Sequence, residues 1–599
     1  MQNLFQFRTF IRRFIILVNQ WRTGALAGRN FLFVASILVG LVVGFVAFLL
    51  KNLVHQIGAF LHGISNEEKL PILNLFYPIT GILITVFIVD KIRKGQKARG
   101  ISQIIHAVSK RSGNMNLRNI YRPFINAMIT VGFGGSVGLE APVAVTGSAI
   151  GSNIAKVFLL TQKERIVLLA CGAAAGIAAM FNTPVGGVLF ALEVLLIDFS
   201  VPTFIPLLLS AAAGAVVAKE LGGKQMFTME TVPWEVVALP FYIGLGILAG
   251  IFSVYFSRTY YRIETFLNRF GNTYTRALVG GGLLGLLIFI FPPLYGEGYD
   301  TLAYLLNGNL NVLMAESNIP LEYLNDYWLY ALIPCLLMLK VVATGLTIHA
   351  GGGGGIFAPS LFSGAFLGLA FVLLLRMSGV YELNLVNFIS AGMAGVLAGV
   401  VHAPLTAIFL IAELTGGYTL FVPLMVVSAS AYFVSKAISP YSLYTERLAS
   451  KGFRIHNKEE MLLQNIFVSD IMELHIKTAH QSKTLADLVQ IFAETGQTVI
   501  PIVNDKVVLT GVVDLNDFKS LLLDSASHHT LKVKELMHDS ASTLTEFEHI
   551  HEVLKKFDSC GQNFLPVLKP DKTFIGLASK SKLMDLFRES LTEREISIE

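Results

Sequence analysis

The sequence predicts an all-α polytopic membrane domain followed by a pair of small soluble α+β units. Three observations predict it. Of 599 residues, 53% are hydrophobic and only 15% charged, where soluble domains carry about 25% charged residues. Apolar runs broken by Gly and Pro fill residues 31–445, and charged residues become frequent only after Tyr441. Two internal duplications, one on each side of that change, divide the chain into an N-terminal segment (1–30), a membrane domain (31–445), a linker with the first soluble unit (446–530) and a second unit (531–599).

In chain order, Arg8, Arg12, Arg13, Arg22 and Arg29 precede the uncharged run Phe31 to Leu50. That run matches the roughly 20 residues of a spanning helix, and it is too long and too late for a signal peptide. Phe5 to Trp21 mixes arginines with Phe, Ile and Leu, as a segment lying along the inner interface does. After the second run, Pro71 to Val89, come Lys91, Arg93, Lys94, Lys97 and Arg99. The positive-inside rule then places the N-terminus and this loop in the cytoplasm. The expectation is a multi-pass protein of the cell (plasma or inner) membrane with both termini cytoplasmic.

The broken runs repeat. Gly138, Ala141, Pro142, Gly147 and Gly151 recur 217 residues later as Gly355, Ala358, Pro359, Gly364 and Gly368. NTPVGGVLFALE, ending at Glu193, parallels HAPLTAIFLIAE, ending at Glu413, at an offset of 220. Small-residue helix packing accounts for glycines, but not for two agreements in one order. Backbone freed from helix at membrane depth must be buried in protein or line a polar cavity, and paired broken helices are how many transporters build a midplane site.

Glu140 sits in the first break, GGSVGLEAP, among apolar residues. Inserting such a carboxylate costs about 2.5 to 3.5 kcal/mol, which marks it as functional. In the second copy, GGGGGIFAPS (Gly351 to Ser360) permits a tight turn before a helix beginning near Phe357. Helix N-termini offer unpaired N–H groups and a positive dipole end, which suit an anion.

In the C-terminal part, Val468, Met472, Gly496, Gln497, Pro501 and Gly511 recur 65 residues later as Val533, Met537, Gly561, Gln562, Pro566 and Gly576. Each copy reads as a helix (Leu485 to Glu494 in the first), β-branched runs such as TVIPIV and VVLTGVV, then more helix.

GSVGLEAP resembles the G-R/K-E-G-P motif of CLC chloride channels and chloride/proton exchangers, and GGIFAP resembles their G-x-F-x-P. NTPVGGVLFALE, HAPLTAIFLIAELTG and PYSLYTERL also fall where that family pattern expects them, so the resemblance covers nearly the whole chain. The tandem units resemble CBS domains. The resemblance implies two inverted repeats, a homodimer with one pore per subunit, and chloride as the transported ion. Glu140 would be the gate, Gly138, Gly355 and the amides of Ile356 and Phe357 would bind the anion, and the Tyr441 hydroxyl would be an inner donor.

Three departures matter. Leu139 and Ala141 replace the usual Arg or Lys and Gly beside the glutamate, making the field there less positive. ARGIS puts Arg99 where a central anion-binding serine would stand; it is either one more positive-inside arginine or a pore-facing cation that attracts anions. Val194 follows Glu193 where exchangers often carry a second, proton-accepting glutamate. The expectation is therefore channel-like or weakly proton-coupled transport, with an obligatory chloride/proton antiporter as the alternative.

A CBS-regulated divalent-cation transporter is the next rival, but apart from Glu140, Glu193 and Glu413 the spans hold few acids. No Ser-His-Asp, HExxH or P-loop pattern points to an enzyme. A net charge of +5 gives no footprint for nucleic acid, and Cys171, Cys335 and Cys560 follow no metal or disulfide spacing. Nucleotide-binding CBS copies carry Ser or Thr three residues before an Asp. Here the pairs read Asp514 with Asp517 and Ser579 with Lys582, so an adenine nucleotide held by Asp517 and Ser579 ranks below a structural or dimerising role.

Overall fold

The computed structural model describes residues 29–67, 72–92, 100–195, 200–222, 231–306, 326–379 and 383–450, and 468–586 apart from positions 475, 517–518, 520, 522–526, 540–541, 547, 549 and 570. The expected interfacial segment Phe5 to Trp21 and Arg99 lie outside these residues. Cα packing divides the chain into two compact units, 1–453 and 454–599.

The first unit is helical. Its first half runs α1 (Arg29–Glu67), α2 (Leu73–Ile92), α3 (Ile101–Lys110), α4 (Arg118–Gly132), α5 (Glu140–Val157), α6 (Gln162–Phe181), α7 (Pro184–Val194) and α8 (Val201–Glu220). Its second half runs α9 (Leu239–Asn268), α10 (Thr273–Ile290), α11 (Tyr299–Leu306), α12 (Asp326–His349), α13 (Phe357–Met377), α14 (Leu385–Val401), α15 (Pro404–Leu414) and α16 (Phe421–Ile438). Among the described residues, eight helices are long and apolar enough to cross a membrane. α1 runs well past the apolar run that signals it: its 39 residues reach about 58 Å, against a hydrocarbon core of about 30 Å.

Local chemistry sets the breaks. α6 opens on a capping box in which the Thr161 N–H donates to Glu164 Oε2 at 2.8 Å and the Glu164 N–H donates to Thr161 Oγ1 at 3.3 Å. It closes on Asn182 in the left-handed region (φ 58°), and Pro184 starts α7 at a position where a missing N–H costs nothing. The second half repeats the device with His402 (φ 59°) and Pro404.

The duplication is equally visible in packing. A Cβ on Gly147 would fall 2.2 Å from the Gly172 carbonyl oxygen, and one on Gly364 would fall 2.5 Å from that of Gly392. α5 against α6, and α13 against α14, therefore meet backbone to backbone at matched glycines. The two copies face each other too. Glu193 accepts the N–H groups of Leu405 (3.2 Å) and Thr406 (2.8 Å) at the start of α15, and the Thr406 hydroxyl (2.8 Å). Glu413 accepts those of Val185 (3.1 Å) and Gly186 (2.8 Å) at the start of α7. Each glutamate thus caps the other copy's helix, satisfying amides that lipid could not.

The second unit holds two copies of one small motif. Short strands β1 (Met472–Glu473) and β2 (Ala479–His480) lead into α17 (Leu485–Thr495), β3 (Val499–Val503) and β4 (Leu509–Asp514). β5 (Leu544–Thr545), α18 (Ile550–Cys560), β6 (Phe564–Leu568) and β7 (Phe574–Ser579) repeat it. The sheets are ordered β2-β3-β4 and β1-β7-β6-β5. β1, which precedes the first copy, pairs with the second copy's β7, and His538, which precedes the second, bridges to Val512 of the first. Each copy packs its helix over its sheet around an apolar core, Leu485, Leu488 and Ile500 in one and Ile550, Val553 and Leu565 in the other.

Candidate functional site

The two broken loops meet. The Gly138 N–H donates to the Gly355 carbonyl at 2.9 Å, and the Gly355 N–H returns a bond to the Gly138 carbonyl at 2.8 Å. This antiparallel bridge brings the N-termini of α5 and α13 to one point, as repeats of opposite orientation do. Both helix starts bring free N–H groups and a positive dipole end to that point.

Glu140, the first residue of α5, is 1% exposed. Its Oε1 accepts the hydroxyl of Tyr299. Its Oε2 lies against Gly138, where a Cβ would come within 1.9 Å of it. The amides of Glu140 and Ala358 are near, but among the described residues no donor reaches Oε2 in hydrogen-bond geometry. The carboxylate thus fills a seat built from glycine and amides, a seat whose chemistry suits any small anion. The Phe357 ring packs 5.6 Å from Phe181 and 6.2 Å from Phe190 between centroids, while Ile356 and Phe357 are buried.

On one side of this seat is a cavity of about 100 Å³, lined by Ser102, Tyr260, His349, Gly355, Ile356 and Tyr444, among others. The expectation for Tyr441 is corrected: that residue is 43% exposed and does not line the cavity, whereas Tyr444, 7% exposed, does. The Ser102 hydroxyl donates to the Tyr444 carbonyl at 2.7 Å, and an Arg447–Glu264 ion pair of 2.6 Å lies at the rim. Gly100, next to Arg99, is also in the lining.

Val194 closes α7 and is buried, as are Phe190 and Leu195. Glu193 beside it is committed to the cap of α15.

Three residues that the sequence reading did not single out form a group beside Leu139 and Glu140. Glu297 Oε1 accepts the Leu139 N–H at 3.2 Å, and Tyr299 bonds Glu140. Lys340, fully buried on α12, donates to the carbonyls of Gly296 (3.0 Å) and Leu294 (3.4 Å), with its ammonium 4.8 Å from the Phe362 ring centroid. The signal was present: Lys340 is a lone cation in IPCLLMLKVVATG, and Glu297 stands in GEGYD, and charges in apolar spans mark function.

In the C-terminal unit, Asp517 lies outside the described residues. Ser579 is buried, and its hydroxyl accepts the Lys582 N–H at 3.4 Å. Its counterpart Asp514 accepts the Asn516 N–H at 2.8 Å.

Residues 80–436 match the voltage gated chloride channel family, and residues 468–524 match the CBS domain. Among solved structures, the chain is similar to a slow cyanobacterial Cl⁻/H⁺ antiporter, at 23% identity and TM-score 0.62, covering 72% of this chain and all of that one. A CLC-type fluoride/proton antiporter matches at 26% identity and TM-score 0.56 over 69% of this chain and 96% of its own. A eukaryotic CLC transporter matches at 20% identity and TM-score 0.60 over 92% and 97%.

Proposed function

This chain belongs to the voltage gated chloride channel family, whose members transport anions across membranes, and we propose that it moves chloride through a pathway gated by Glu140. One observation carries the reading: the buried carboxylate occupies a seat formed where two helix N-termini meet. Ionised, it competes with an anion for that seat. Protonated, it loses the charge that holds it there, and chloride can replace it.

Transport is channel-like or weakly coupled on this reading. A proton crossing from the inner cavity to Glu140 needs groups that can bind it, and Val194, Phe190 and Leu195 offer none. Obligatory exchange is the second reading. It is favoured by His349, a titratable side chain in the lining of the inner cavity, and by the antiporters among the similar structures. Tyr444 takes the role of inner donor in place of Tyr441. The basic residues before α1 and after α2 support cytoplasmic termini in a cell membrane, and the family supports a homodimer. The CBS pair is assigned a structural or dimerising role.

The test is chloride flux through reconstituted vesicles at two pH values. Glu140→Gln, which mimics the protonated carboxyl, is expected to keep flux and lose its pH dependence. A variant with the full wild-type pH response would remove Glu140 from the gate.

A further inference from the structure

Resting on the reading of Glu140 as the gate, we propose that Glu297 is a second proton-binding carboxylate of that gate, passing protons between Glu140 and the solvent on the side away from the inner cavity. A gate that responds to pH needs a route for its proton, and Glu140 itself is sealed at 1% exposure. The C-terminal part of α9 lines the inner cavity with Tyr260, Tyr261 and Glu264. α10 then runs away from that cavity, since its Gly280 faces Ala350, the neighbour of cavity-lining His349, while Gly285 faces Leu75 near the start of α2, so the loop from Pro292 to Tyr299 that follows it sits at the opposite end.

That loop grips two consecutive residues of the gate segment. Glu297 takes the Leu139 amide at 3.2 Å, and Tyr299 gives its hydroxyl to Glu140. Glu297 keeps some exposed surface where Glu140 has almost none, so of the two residues it lies nearer the solvent.

The surroundings suit a titrating pair. The ionisable groups around Glu297 are Glu140 on α5, Lys51 on α1 and Lys340 on α12. Tyr299 faces the same pair from its own loop, and Asp300 and His62 act on each other nearby. Lys340 holds the loop through the Gly296 and Leu294 carbonyls. The cation that the family motif usually carries beside the glutamate is absent at Leu139, and the lysines of this region, Lys340 and Lys51, come from other helices instead. Two carboxylates held on adjacent residues of one segment, Glu297 on the Leu139 amide and Glu140 next in sequence, repel when both are ionised, so the proton on one sets the readiness of the other to take one.

The experiment measures chloride flux into vesicles against pH for the wild type, E297Q, E140Q and the double variant. The amide of E297Q still accepts the Leu139 N–H but can neither bind the proton nor repel Glu140. Its midpoint is expected to move to lower pH by about one unit, while E140Q and the double variant share one flat profile. An unchanged E297Q midpoint beside a flat E140Q profile overturns this inference alone, because it leaves Glu297 a merely structural acceptor. A pH-responsive E140Q would instead overturn the gate reading and this inference with it. Should E297Q fail to fold, E297D decides the matter. Its shortened arm should move the midpoint in the same direction by a smaller amount, and no movement would count against the proposal.

Discussion

In the membrane unit, residue 140 is a glutamate and its counterpart 217 positions on is Phe357. In the C-terminal unit, counterparts 65 positions apart keep even the irregularity in strand register, at Ile502/Val503 and at Val567/Leu568. Both units are duplications. The difference is where each departs from its own symmetry. The membrane repeats share helix breaks, glycine contacts and reciprocal caps, yet at the point where they touch, one copy contributes a carboxylate and the other an aromatic ring. On the proposed reading, an anion seat takes amides from both copies but only one gate, which puts the gate at the broken match. The C-terminal repeats depart in side chains at the sheet ends, such as Asp514 against Ser579.

The comparison can be broken first at the bridge itself. Gly138→Ala puts a Cβ onto the seat of Glu140 Oε2, whereas Gly355→Ala puts one 2.7 Å from the Ala141 Cβ. The first is expected to expel the carboxylate and raise chloride flux at neutral pH several-fold with a flattened pH response. The second should lower flux by disturbing the backbone. Equal behaviour of the two would deny the asymmetry. A smaller effect tests the symmetry that remains. Glu193→Ala and Glu413→Ala each leave helix-start amides unpaired and should each lower stability by about 1 to 3 kcal/mol. Glu193, with a third bond to the Thr406 hydroxyl, should cost slightly more. Thermal unfolding in detergent measures both, and destabilisation by only one of them would contradict a shared capping role.

The smallest effect lies in the C-terminal unit, where Asp487 of the first copy accepts the N–H and hydroxyl of Thr484, at 2.9 and 3.0 Å. Those bonds hold the Asp487 carboxyl below its ordinary range. A depressed carboxyl stabilises the fold above its unfolded-state value and loses that contribution as pH falls through the folded one. Asp487→Asn should therefore cost about 1 kcal/mol or less at neutral pH and nothing in strong acid. A loss of stability independent of pH would show that the charge is irrelevant.

Much of this was legible in the sequence because Gly and Pro act locally. The spacing of Gly138 and Gly355, and of Pro184 and Pro404, marks breaks wherever it occurs, and α13 begins at Phe357 where the glycine run implied. The 65-residue repeat located α17, β3 and β4 within a residue or two for the same reason. Tyr441 and Tyr444 were harder to separate. They lie in an irregular turn between α16 and the chain that follows, where no helical period decides which ring turns inward. Glu297 and Lys340 stand out in sequence only as charges in apolar surroundings, and what they do arises in tertiary contact: they are 43 positions apart, and 157 or more from Glu140. A carboxylate that grips a backbone amide from another helix leaves no spacing to read.

Whether protons reach Glu140 without crossing the protein is decided by proton movement driven by a chloride gradient in proteoliposomes. With Val194, Phe190 and Leu195 offering no relay, the unmodified protein should release chloride readily while moving few protons uphill. Proton flux in fixed stoichiometry with chloride would contradict the account and establish the exchanger in its place.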